Sequence, residues 1–103
     1  MINSLLIKNL LQLYSIFRAK FWQSRLYTPT MIQKIDDTYF ISDCWHNRII
    51  YSKKISAPIS RWKSLSDEVF GGHTISYNGN FVLADNTDKD SIFVWKKDEI
   101  FNE

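Results

Sequence analysis

Tyr39-Phe-Ile-Ser-Asp43-Cys-Trp-His46-Asn-Arg48-Ile-Ile-Tyr51 decides the reading of this chain, because a variant of it returns as Phe81-Val-Leu-Ala-Asp85-Asn-Thr-Asp-Lys-Asp-Ser91-Ile-Phe-Val-Trp95. Each is a pair of short apolar runs joined by a polar turn. A shift of 42 residues lays His73–Asn80 on Met31–Thr38 and Phe81–Asp85 on Tyr39–Asp43, so that Asp85 falls on Asp43. One inserted residue then brings Ile92-Phe93-Val94 onto Ile49-Ile50-Tyr51. Each unit reads as strand, tight turn, strand, turn, strand.

The turn chemistry agrees with that division. Asp36-Asp37 and Asn78-Gly79 occupy the first turns, and Asn-Gly between β-prone runs is a strong hairpin signal because both residues accept positive φ. The second turns, Cys44–Asn47 and Asn86–Asp90, carry the Asn and Asp residues that turns select. The stretch from Ala57 to Leu65 links the units as an outer strand or a short helical turn. Four Trp, five Tyr and seven Phe in 103 residues fit strands packed on their faces, and three Gly with two Pro argue against a disordered linker. The length allows one domain at most.

A period near 42 with up to four strands per unit is the pattern of a propeller blade. Asp43-Cys-Trp-His-Asn-Arg48-Ile-Ile resembles the NHL repeat, in which an Asp, a polar turn with Asn, and Arg-Ile precede an apolar strand. Gly72-His73-Thr-Ile-Ser-Tyr-Asn-Gly79 is similar to the opening of such a blade. The likeness covers residues 31–103, with Ser91 standing where Arg is expected. It implies a mainly β fold, a partial β-propeller of about two antiparallel blades, 31–70 and 71–103, the second lacking its outermost strand. Propellers close with four to eight blades. Two units therefore leave open faces and edges, as in a remnant of a longer propeller, an oligomer that completes the ring, or a half-domain capped by its own helix.

That helix is expected within residues 1–30. Ile2, Leu6, Leu10, Leu13, Phe17 and Phe21 recur at helical spacing, and Thr28-Pro29 ends the pattern. The longest apolar run within these residues, Leu5-Leu6-Ile7, is far short of a membrane span, and no small-residue cleavage site marks a secretory signal. The expected location is cytoplasmic or peripheral to a membrane. Residues 1–35 carry a net charge of +5 and the remainder −3. The amphipathic helix of residues 2–24 thus caps a sheet or lies on a membrane surface. The basic residues neither cluster nor recur, so nucleic acid is not an expected partner.

The chemistry-bearing residues are few. Asp43 and Asp85, each just after a strand, are expected to accept main-chain N–H groups in the following turn. Arg48 is placed to pair with Asp43 or Asp36. His46 is expected to be exposed in its turn. His73 is the better binding candidate: the resemblance puts it at the start of an innermost strand, lining a central channel, where some propeller lyases hold a metal with several histidines. A single His makes no metal site, so no metal or cofactor is expected. Trp45, Trp62 and Trp95 read as packing aromatics, with Trp45, Asp43 and Arg48 as further binding candidates. Cys44 alone excludes an intrachain disulfide and reads as a small buried residue. The expectation is a non-catalytic binding module, meeting a protein partner or itself through open blade edges. The alternatives are a fragment of a propeller lyase or glycan-processing enzyme with His73 and Asp85 at its centre, and a membrane-surface protein anchored by residues 2–24.

Overall fold

The computed structural model describes Leu10 and residues 23–101. The helix expected over residues 2–24 lies almost wholly outside these described residues. The fold is mainly β. Strands β1 (Pro29–Ile35), β2 (Thr38–Asp43), β3 (Arg48–Ser52) and β4 (Lys63–Ser66) form one antiparallel meander, and β5 (Ile75–Tyr77), β6 (Phe81–Asn86) and β7 (Ser91–Lys96) form a second. The Ala57–Leu65 link resolves into both of its expected forms, a 3-10 turn at Ile59–Arg61 followed by strand β4. A short α-helix, α1 (Lys97–Phe101), follows β7, with Asp98 and Glu99 in its first turn where the helix dipole favours acids.

The two sheets repeat one another with a displacement of 43 residues, not 42 with an insertion. Ile32 pairs with Ile41 as Ile75 pairs with Ala84, and Tyr39 pairs with Ser52 as Val82 pairs with Trp95. The positive-φ positions keep the same step: Thr28 and Gly71, Asp36 and Gly79, Asn47 and Asp90. Each turn after the second strand is a 3-10 turn, Cys44–His46 or Thr87–Lys89, closed by a left-handed Asn or Asp whose N–H returns to the first residue of the turn. Asn and Asp are the non-glycine residues that enter this conformation most readily. In the second hairpin the turn centres on Gly79-Asn80, one residue later than Asn78-Gly79. The Asn78 side chain instead accepts the N–H groups of Asn80 and Phe81.

The sheets pack face to face. Ile35, Phe40 and Ile49 of the first and Ile75, Val82 and Ala84 of the second form one buried cluster with Val69 and Ile100. Each fully buried Ile or Phe contributes roughly 1.5–3 kcal/mol. Helix α1 folds back to place Ile100 in this cluster and Phe101 edge-on to Phe40, ring centres 6.0 Å apart. Hydrogen bonds to the main chain join the units: Val69 N–H to the Asn47 carbonyl at 3.1 Å, and the Thr30 and Ser42 hydroxyls to the Gly72 carbonyl at 3.0 Å each. On its far face the first sheet carries a smaller cluster of Ile41, Ile50 and Trp62, backed by Leu26.

Candidate functional site

Three groups of polar side chains sit at the end of the sheets where β2 and β6 run into their 3-10 turns. The first centres on Asp43, which is fully buried. Its carboxylate accepts the Tyr27 N–H at 2.7 Å and Arg48 Nε at 2.9 Å, and lies 2.6 Å from His46 Nδ1. Arg48 reaches on to the carbonyls of Gln23 (2.8 Å) and Arg25 (3.1 Å). Asp43 thus ties the strand entering the first sheet to the turn leaving β2. The expected Asp43–Arg48 pair is present. The expected exposure of His46 is not: its side chain is almost wholly buried, because contact with Asp43 draws the ring inward.

The second group surrounds Asp85. One oxygen accepts the His73 and Thr74 N–H groups at 2.8 Å each and the Thr74 hydroxyl, and the other accepts the Thr87 hydroxyl. Partial burial acts to raise the carboxyl pKa, but the hydrogen bonds from Thr87, Thr74 and His73 outweigh it and hold the pKa at about 2. So acidic a group is a poor proton acceptor near neutrality. His73 and Asp85 meet through the His73 main chain, not as an acid–base pair of side chains.

Asp43 and Asp85 are therefore not equivalent, contrary to the alignment at 42. The counterpart of Asp43 is Asn86, also buried, whose Oδ1 accepts the Phe70 N–H at 2.7 Å and whose Nδ2 donates to Ser91 Oγ at 2.9 Å. Tyr27 and Phe70, Arg48 and Ser91, and Asp43 and Asn86 all stand 43 residues apart. The Trp45 N–H to Tyr27 carbonyl bond likewise repeats as Asp88 to Phe70. This accounts for the missing Arg in the second unit: an amide replaces the acid, and a serine hydroxyl suffices to meet it.

The third group lines a cleft of about 360 Å³ between the two 3-10 turns, with Trp45 and Cys44 on one side and His73 and Asp88 on the other. Trp45 does not pack into a core as Trp62 does. It is 62 % exposed and stands edge-on to Tyr27 at 5.1 Å. Cys44 is buried, and its thiol pKa is pushed up by that burial and by the carboxylates of Asp88, Asp85 and Asp43, which disfavours the nucleophilic thiolate. Among the described residues no three His, Cys, Asp or Glu side chains are grouped so as to hold a metal ion, and no helix is long and apolar enough to cross a membrane. The structure brings Trp45 and His73 to one cleft and leaves Asp43 and Arg48 in their own buried cluster.

Two units are expected to leave open sheet faces, and what sequence reasoning missed is which residues form one. On the outer face of the second sheet, Ile92 and Val94 are 66 % and 54 % exposed, with Leu83 beside them on β6. The counterparts of Ile92, Val94 and Leu83, 43 residues earlier, are Ile49, Tyr51 and Phe40, which belong to the core between the sheets. Compared with models of known protein families, with curated proteins and with solved structures, the chain matches none.

Proposed function

We propose that this chain is a non-catalytic interaction module, a partial β-propeller of the NHL kind whose units dock through their sheet faces. One observation carries the reading: Leu83, Ile92 and Val94 face outward at positions whose first-unit counterparts are covered by a neighbouring sheet. Contiguous exposed apolar surface of this sort marks an interaction site, because leaving it in water is unfavourable. The 43-residue register and the four-strand meander of the first unit support the blade assignment. The low pKa of Asp85 and the buried, protonated Cys44 speak against acid–base or thiolate catalysis at this end of the sheets. Partner contact through a face differs from the expected contact through blade edges, and oxidative footprinting of the intact chain tests the face. A docking face shows Ile92 and Val94 protected toward the level of buried Ile49. Labelling in proportion to their full exposure refutes the reading.

A further inference from the structure

We infer that the partner on this face is a second copy of the chain, stacked head to tail. The inference rests on the docking reading above and adds the identity of the occupant. The interface between the two sheets has two unlike sides. The first sheet contributes Phe40, Ile49 and Tyr51, and the second contributes Val69, Ile75 and Ala84. Displacement by 43 residues finds each side again at an outer end of the molecule.

The side made by Phe40, Ile49 and Tyr51 recurs on the second sheet as Leu83, Ile92 and Val94, with Ile92 and Val94 open to solvent. The side made by Val69, Ile75 and Ala84 recurs on the first sheet as Leu26, Ile32 and Ile41. These three line a groove of about 370 Å³ together with Pro29 and Met31. The groove side is open at two of its three positions where its counterpart is not: Ile32 is 52 % exposed and Leu26 half-buried, whereas Ile75 and Val69 are each 1 % exposed; Ile41, at 6 %, already packs against Ile50 and Trp62.

The chain thus displays at one end the surface that binds, within the same molecule, the kind of surface displayed at the other. A ridge of Leu83, Ile92 and Val94 entering the Leu26–Ile32–Ile41 groove of a second copy reproduces between molecules the interface already present inside one. Such a contact is heterologous, since the two surfaces differ, and it continues from copy to copy until the rotation closes a ring. A symmetric contact between two identical faces has no counterpart in the molecule.

The test uses the full chain and two variants at exposed positions, Ile32→Asp and Ile92→Asp, with light scattering for mass and circular dichroism for fold. The wild-type chain is expected to scatter at two or more times the chain mass. Every contact needs one ridge and one groove, and each variant has lost one of the two, so each variant alone is expected to be monomeric. Mixing the two restores a 1:1 dimer through the intact groove of one and the intact ridge of the other. Should either variant lose its β signal, Ile32→Cys and Ile92→Cys replace them, on separate chains that also carry Cys44→Ala. Oxidation of that mixture is expected to give dimers cross-linked between positions 32 and 92. A wild-type monomer with Ile92 and Val94 protected overturns the second copy while the docking reading stands. A wild-type monomer with both residues fully labelled overturns both. Association that survives in one variant alone overturns the head-to-tail geometry.

Discussion

Replacing Asp43 by Asn tests the logic of the repeat, because the second unit already carries Asn at the equivalent position. In the first unit the substitution leaves the Arg48 side chain, 11 % exposed, without its counter-charge and turns an amide N–H2 toward a guanidinium that also only donates. Removing one partner of a buried pair costs about 3–5 kcal/mol. Arg48 keeps its bonds to the Gln23 and Arg25 carbonyls, and the new Oδ1 still accepts the Tyr27 N–H, so the low end, about 3 kcal/mol, is expected. Arg48→Ser alone strands the Asp43 charge with Tyr27 and His46 and loses a charge-assisted bond, at about 2–3 kcal/mol. The double variant Asp43→Asn/Arg48→Ser rebuilds the Asn86–Ser91 arrangement, in which Nδ2 meets Oγ at 2.9 Å and Oδ1 holds the incoming N–H at 2.7 Å. Its cost is expected near 3 kcal/mol, well short of the sum of the singles, giving a coupling of about 2–3 kcal/mol. At roughly 4–8 °C per kcal/mol for a domain of this size, Asp43→Asn lowers Tm by about 12–24 °C. Urea unfolding followed by circular dichroism and by tryptophan fluorescence reads all four corners of the cycle. Additivity of the two singles within about 0.5 kcal/mol refutes the equivalence of the two anchors.

Three other outcomes follow from single positions. The folded pKa of Asp85, about 2, lies below its ordinary 3.8, so its contribution to stability is complete above about pH 4 and is lost as pH falls toward 2. Asp85→Asn is therefore expected to flatten the acid limb of stability between pH 4 and 2, and a limb of unchanged slope counts against the hydrogen-bond account. Thr28 and Gly71 hold the same positive φ, 56° and 68°. Gly71→Ala is expected to cost about 1–2 kcal/mol from that φ, since the Asp88 carboxylate it would meet is exposed and can swing away, whereas Thr28→Gly is expected to gain up to about 1 kcal/mol; equal signs in denaturant unfolding would contradict the pairing. Cys44, buried with its pKa raised, is expected to react with iodoacetamide at neutral pH at least ~10-fold slower than after unfolding in urea, and equal rates would place it outside the fold described.

Much of the fold is legible in the sequence because turn chemistry is local. Asn47 and Asp90 mark the left-handed closures, and the short apolar runs between the turns mark the strands. Three strands in each unit follow from these signals, while the fourth of the first unit, β4, lies in the stretch from Ala57 that reads equally as a helical turn. The one-residue error comes from aligning Asp43 on Asp85. Two adjacent residues on a strand point to opposite faces, so the slip assigns to Asp85 the anchoring role of Asn86 and gives the wrong face to every residue before the turn. Identity of side chain misleads where geometry does not: the left-handed Asn47 and Asp90, and the pair Thr28 and Gly71, carry the 43-residue step without ambiguity. His46 misleads for a different reason. Its burial depends on a carboxylate three residues earlier, which no periodicity reveals.

The open face is also written in the sequence, in a form that composition alone does not separate from a core. A strand with one wet face alternates apolar and polar residues, while one covered on both faces reads as an unbroken apolar run. Strand β3 carries Ile49-Ile50-Tyr51, and the structure covers it on both sides, Ile49 among the residues between the sheets and Ile50 in the smaller cluster with Trp62. Strand β7 carries Ile92-Phe93-Val94-Trp95, the same unbroken run. Phe93 and Trp95 pack inward against the shared core, ring on ring at 5.5 Å, and Ile92 and Val94 point away from it into solvent. A strand of that composition is suited to burial on two sides and is covered on one among the described residues. On the docking reading proposed above, the second cover presents an apolar surface like the one that Ile75, Val82 and Ala84 present to the first sheet, and the groove at Leu26, Ile32 and Ile41 is where this chain offers one.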